Sequence, residues 1–88
     1  MVTASTILKW LHVRGNGSIN EHAIADLARR DAEVAKAWEQ SMLIDDLIGD
    51  ASLVKRGLAS ESFAVAFRQR LAQHVEGPEA EKAIWDAA

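Results

Sequence analysis

The stretch AEVAKAWEQSMLIDDLIGD, residues 32–50, indicates a helical fold, because its apolar residues recur at the spacing of a helix. With an advance of about 100° per residue, one broad apolar arc forms from Val34, Ala37, Trp38, Met42, Ile44 and Ile48. Leu43 and Leu47 project on nearly the opposite side, so a single helix over residues 32–48 would carry two apolar faces. Either this helix is central and packs between neighbours, or one face is held for a partner.

Helix signals also flank this stretch. Ser18 and Glu21 have the spacing of a capping box, which predicts a helix that begins beside Ile19. Gly49 is placed to end the central helix, and a further short turn is expected to end at Gly57. Alternating β-branched runs joined by hairpin turns are missing. We therefore predict an all-α fold, a small bundle of four to five short helices at about residues 4–13, 19–30, 32–48, 60–76 and 78–87.

Length and composition narrow the class of protein. The 88 residues are expected to form one domain over residues 1–88, since domains usually have about 50–200 residues. Cysteine is absent, which fits a reducing compartment, and no run of about 18 apolar residues could span a membrane. The formal net charge of -3 argues against nucleic acid as the partner, because duplex binding usually needs a concentrated basic face. We expect a cytoplasmic protein.

No pattern typical of a catalytic, metal or cofactor site stands out in the sequence. The histidines lie far apart and have no cysteine companion, so no metal site is expected. Asp45 and Asp46 are adjacent, and neighbouring helix positions point about 100° apart, so they do not form a paired acid–base site on their own. The segment RGNGS, residues 14–18, has the wrong spacing for a phosphate-binding loop and is interpreted as a turn. We expect a protein that is not an enzyme and binds no cofactor.

The segment DAEVAKAWEQSMLIDDLIGD, residues 31–50, resembles the central part of the N-terminal cytoplasmic domain of RseA-type anti-sigma factors. In that family, an acidic or asparagine-rich turn precedes a helix with a tryptophan, an aliphatic pair, an aspartate and a glycine or basic stop. The matching residues are Asp31, Trp38, Leu43, Ile44, Asp46 and Gly49. The following SESFAVAFRQRLAQHVEGP, residues 60–78, is similar to the family's next helix, with Phe63, Val65 or Phe67, Leu71 and Glu76 in order. The resemblance covers about residues 19–78.

Two features depart from the family pattern. Members usually open with a Leu-Met-Asp-Gly-Glu-like stretch, whereas this chain has LKWLHVRGNGSINE, residues 8–21, so the contacts of the first helix are expected to differ. A transmembrane helix usually follows the family's domain, and the sequence carries none. The chain is therefore expected to be either the cytoplasmic part of a membrane-anchored protein or a soluble relative.

The resemblance implies an inhibitor of transcription initiation. Such a protein binds a sigma factor of the extracytoplasmic-function type between its two folded domains and hides the surfaces that engage RNA polymerase. The second apolar face of helix 32–48 would then meet the sigma factor, as interfaces commonly combine apolar anchors with a polar rim. The residues expected to contact the partner are Trp10, Leu43, Asp46, Leu47, Phe63 and Phe67.

Two alternatives remain open at the level of sequence. The first is a small DNA-binding regulator or antitoxin, in which the second and third helices form a helix-turn-helix-like pair around Arg29 and Arg30. The second is a self-associating helical bundle, in which the surplus face of helix 32–48 buries against its own copy.

Overall fold

The structure is a computed structural model that describes residues 1–15 and 20–88. The described residues form six helices: α1 (Ala4–Gly15), α2 (Glu21–Arg30), α3 (Ala32–Glu39), α4 (Ser41–Lys55), α5 (Glu61–His74) and α6 (Gly77–Ala87). Within these two ranges there is no β-strand, only an isolated parallel bridge between Val2 and Val75. The all-α prediction is confirmed, with six helices in place of four to five.

The predicted single helix over residues 32–48 is wrong, because the chain breaks at Gln40 into α3 and α4. The backbone of Gln40 is non-helical, with φ -97° and ψ 3°. The hydroxyl of Ser41 donates a 2.7 Å hydrogen bond to the carbonyl oxygen of Trp38. A serine hydroxyl that bonds a carbonyl one turn back competes with the helix's own amides and commonly bends the helix. The break therefore coincides with a local hydrogen bond that competes with the helix.

The predicted stop at Gly49 is also wrong, since α4 continues to Lys55 and Gly49 lies inside it. The chain turns instead at Gly57, which has a φ of 72°. This left-handed conformation is the one that glycine adopts readily after a helix end, because it has no Cβ to clash. The chain ahead of the predicted short turn is thus helix as far as Lys55, and the end of that turn at Gly57 is confirmed.

The helix starts are set by short polar side chains. Asn20 accepts hydrogen bonds from the amides of His22 and Ala23 and so caps α2, which begins at Glu21. The predicted capping role of Ser18 and the predicted start beside Ile19 lie outside the described residues. Ser60 lies at the start of the helix predicted over residues 60–76 and caps α5, accepting a 3.1 Å bond from the amide of Phe63. Such caps satisfy amides that the first helical turn leaves unpaired.

One hydrophobic core joins the helices. In that core α1 packs on α3 and α6, α2 packs on α3, and α4 packs on α5 and α6. The amide of Val2 donates to the carbonyl of His74, and the amide of Glu76 donates to the carbonyl of Val2, so the N-terminus is fixed beside the α5–α6 connection. The largest fully buried side chains are Val2, Ile7, Ile44, Leu47, Phe67, Leu71, Val75 and Ile84.

Candidate partner-binding site

One side of α4 faces solvent along the whole helix. Met42, Asp46, Gly49 and Leu53 follow one another at intervals of four, three and four residues, which places them on one stripe of a helix. All four are exposed, and Met42 is 81% exposed. We call this stripe the α4 outer face. The buried residues of α4 lie on the opposite side, and they are Ile44, Leu47, Ile48 and Ala51.

Gly49 leaves the backbone bare at the centre of the α4 outer face. Its φ is not positive, so the helix does not require glycine here. A Cβ placed on Gly49 would meet no atom within 4 Å, so internal packing does not require glycine either. A glycine lets another chain approach the backbone closely. The α4 outer face therefore combines two apolar side chains, one carboxylate and a central position that has no side chain.

A groove of about 480 Å³ lies beside the first turn of α4. Its aromatic residues are Trp10 and Trp38, whose rings meet edge to face with centroids 6.5 Å apart and planes at 87°. Met42 belongs to both the groove and the α4 outer face, so the two surfaces are continuous. We call this the aromatic–acidic groove, and its lining residues are Trp10, Glu21, Trp38, Glu39, Ser41, Met42 and Asp45.

Asp45 fixes one wall of the aromatic–acidic groove. Its Oδ1 accepts a 2.9 Å hydrogen bond from Nε1 of Trp10 and a 2.7 Å bond from Nη1 of Arg14. The buried indole thus has the partner that a tryptophan N–H needs. Asp46 instead lies exposed on the α4 outer face. The two neighbouring carboxylates therefore point to different surroundings and form no acid–base pair with each other.

Three of the six predicted contact residues are in the core; burial contradicts the prediction for Leu47 and Phe67, whereas Trp10 is buried and still lines the groove. Trp10 is 5% exposed, Phe67 is 1% exposed and Leu47 is fully buried. The break at Gln40 explains why Leu47 is buried. Because α3 and α4 are separate helices, each turns its own apolar side towards the core, and the two sides need not lie on one continuous arc. Phe67 packs edge to face on Trp85, with ring centroids 5.5 Å apart. Leu47 and Phe67 cannot contact a partner while the fold is intact.

The other three predicted contact residues keep exposed surface, although Leu43 and Phe63 also pack against the core. Leu43 is half-buried and Asp46 is exposed, and both lie on the first half of α4. Phe63 is half-buried on α5. The helical spacing puts Met42 on the same arc as the buried Ile44 and Ile48, whereas the structure leaves it exposed. Its position four residues before the exposed Asp46 is the signal that could have identified it.

Asp31 holds the α2–α3 connection. Its carboxylate accepts hydrogen bonds from the amide of Glu33 and, more weakly, from that of Val34, and its Oδ2 lies 3.2 Å from Nζ of Lys9. The pKa of Asp31 is lowered from its ordinary value, chiefly by the bond to the Lys9 side chain and next by that to the Glu33 amide. This residue of the resembling motif thus has a structural role.

The described residues do not group into other kinds of site. Within residues 1–15 and 20–88, no three histidine, aspartate or glutamate side chains come together as a metal ion would need. In the same ranges, no helix is long and apolar enough to cross a membrane.

The basic residues of the DNA-binding alternative do not form a strong cationic face. Arg29 and Arg30 are exposed at the end of α2, and Arg29 pairs with Asp26 at 3.3 Å. The exposed charges of α3 are Glu33, Lys36 and Glu39. Because a recognition helix lies against phosphates, an excess of carboxylates on α3 gives this alternative little support.

Comparison of the chain with models of known protein families, with curated proteins and with solved structures found no match in any of the three.

Proposed function

We propose that this chain binds a sigma factor of the extracytoplasmic-function type and keeps it from RNA polymerase. In this proposal the chain covers the surface of the sigma factor that engages RNA polymerase and carries out no chemical step. The observation that carries the proposal is the α4 outer face, which displays apolar side chains that the fold does not bury. The resemblance to RseA-type anti-sigma factors supplies the class of partner.

The residues of the resembling motif divide into two groups by their place in the fold. Asp31 caps α3 and Ile44 is fully buried, so the fold itself requires them. Asp46 and Gly49 are exposed on α4, and internal packing does not require glycine at position 49, while Leu43 is half-buried and also packs against the core. A motif that specified only the fold would not need Asp46 and Gly49. Their placement on one side of α4 supports a role in binding.

Met42 and Leu43 are suited to anchor the partner. Burying a methionine or leucine side chain fully contributes about 1.5–3 kcal/mol, and a few such anchors dominate the affinity of most interfaces. Asp46 and the groove carboxylates supply a polar rim, which is the usual arrangement around an apolar centre.

The dimensions of the molecule are compatible with occlusion. Its extents are 42 × 25 × 16 Å, so it is thin in one direction and has two broad sides. A standard interface covers about 800 Å² of each partner, which is about one-seventh of the 5682 Å² of accessible surface. The molecule therefore has enough surface for the two folded domains of one sigma factor to contact different sides.

Affinity capture tests this proposal. The chain is used as bait in lysate from its own source, alongside a Met42→Asp variant and a Leu8→Asp control. Leu8 is 58% exposed on α1, so the control introduces the same charge at another exposed apolar residue. We expect the wild type and the control to retain a sigma factor without core polymerase, and Met42→Asp to lose it. Failure of the wild type to retain any sigma factor, or equal retention by all three, would contradict the proposal.

A further inference from the structure

We infer that the aromatic–acidic groove holds an arginine side chain of the protein partner, with its guanidinium beside Glu21 and Glu39 and against the indole of Trp38. This inference rests on the proposed function, because it concerns the same partner, and it adds the chemistry that the groove recognises.

The charge of the groove calls for a cation. The charged residues that line it, among those described, are Glu21, Glu39 and Asp45. Asp45 is already bonded to Trp10 and Arg14. The carboxylates of Glu21 and Glu39 have no hydrogen bond or ion pair within the described part of the chain. Two uncompensated carboxylates on one groove favour a cationic occupant.

The aromatic and apolar residues of the groove select arginine among cations. A guanidinium stacks on the face of an indole and pairs with carboxylates at the same time, and it is more weakly hydrated than an ammonium. Trp38 is half-buried and holds its ring at right angles to that of Trp10. The exposed thioether of Met42 at the rim can cover the alkyl stem of an entering arginine. Arg14 provides an internal example of the carboxylate half of this recognition, since its guanidinium bonds Asp45 on the wall of the groove.

The three tryptophans of the chain provide a direct readout. Each indole N–H gives one nitrogen–proton correlation signal in a magnetic resonance spectrum, and single Trp→Phe variants assign them. The probe is a short amphipathic helical peptide of leucine and arginine, compared with versions that carry lysine or glutamate. We expect the arginine peptide to shift the signals of Trp10 and Trp38 and to leave that of Trp85 unmoved, because Trp85 packs on Phe67 outside the groove. The lysine peptide should bind more weakly and the glutamate peptide should give no shift.

A double variant tests the carboxylates themselves. The variant that combines Glu21→Gln with Glu39→Gln should bind the arginine peptide about tenfold more weakly, and its affinity should depend less on salt concentration. Glu61→Gln with Glu79→Gln is the control, since both glutamates are exposed on α5 and α6, outside the groove lining. Equal shifts of all three indoles, no shift at any peptide concentration, or equal losses in the two double variants would overturn the inference.

The same variants separate this inference from the proposed function. A captured sigma factor that binds the Glu21/Glu39 variant as tightly as the wild type would overturn the groove inference and leave the proposed function intact. Absence of any sigma factor in the capture, with indole signals that still respond to the arginine peptide, would overturn the proposed function and leave the groove chemistry intact.

Discussion

Replacing Gly49 with alanine is expected to stabilise the free protein and to weaken its complex. Gly49 lies inside α4, and its φ is not among the positive angles found at other described glycines. A glycine inside a helix destabilises it by about 0.5–1 kcal/mol relative to alanine, since glycine loses more backbone freedom on folding. The added Cβ would meet no atom within 4 Å. The full gain should therefore appear in the free energy of unfolding.

Thermal and urea unfolding measure this gain. For a domain of this size, 1 kcal/mol shifts Tm by about 4–8 °C, so Gly49→Ala should raise Tm by about 2–8 °C. Gly77→Ala is the matched control, because the φ of Gly77 is 83° and alanine is strained there. The control should lower Tm. An unchanged or lower Tm for Gly49→Ala would refute the reasoning.

The second half of the prediction concerns binding. If a partner approaches the bare backbone at Gly49, a Cβ overpacks that contact, which commonly costs about 1–3 kcal/mol. Gly49→Ala should thus raise the Kd for the captured sigma factor while it raises Tm. Calorimetric titration measures Kd, and an unchanged Kd would show that the partner does not approach Gly49.

Three further outcomes are expected. Leu47→Ala should lower the free energy of unfolding by about 2–5 kcal/mol in urea, because it empties a fully buried site; a loss well under 1 kcal/mol would contradict that placement. Asp31 has a lowered pKa in the folded state, so its contribution to stability is present above its ordinary pKa of 3.8 and is lost as pH falls through the lowered value. As the pH is lowered from about 5, the urea midpoint of the wild type should therefore fall further than that of Asp31→Asn. An equal fall in both proteins would contradict this linkage. Sedimentation velocity should give a monomer at all concentrations, whereas a concentration-dependent dimer abolished by Met42→Asp would favour the self-associating bundle.

The helix type and the core pattern could be predicted from sequence, because they depend on local spacing. Phe63, Phe67, Leu71 and Val75 recur at intervals of four residues, and the last three are buried while Phe63 is half-buried, although the resemblance had implied a partner contact for Phe67. The start of α5 at Glu61 follows from the Ser60 cap. These features depend on side chains within one or two turns, which a single sequence displays directly.

The break between α3 and α4 could not be predicted with the same ease. Residues 32–48 contain neither proline nor glycine, and the first glycine follows them at position 49. At the break, the hydroxyl of Ser41 donates a hydrogen bond to the carbonyl of Trp38, and serine at this spacing is also common inside regular helices. A single helix that runs through Gln40 would put Leu47 on an outer face and Met42 on an inner one. The structure reverses both, since each helix turns its own apolar side towards the core.

The candidate site was predicted in part for the same reason. Leu43 and Asp46 keep exposed surface on α4, but the groove depends on four helices. Trp10, Glu21, Trp38 and Met42 come from α1, α2, α3 and α4, and only the tertiary fold brings them together. Spacing along the chain contains no signal for such a juxtaposition.

Competition with RNA polymerase tests the central claim most directly. The captured sigma factor, labelled with a fluorophore, is mixed with core polymerase, and increasing amounts of this protein are added while the anisotropy of the label is followed. We predict that the wild type removes the sigma factor from the polymerase at one-to-one stoichiometry and that Met42→Asp leaves it bound. A stable complex that contains the sigma factor, the core polymerase and this protein together would contradict the account.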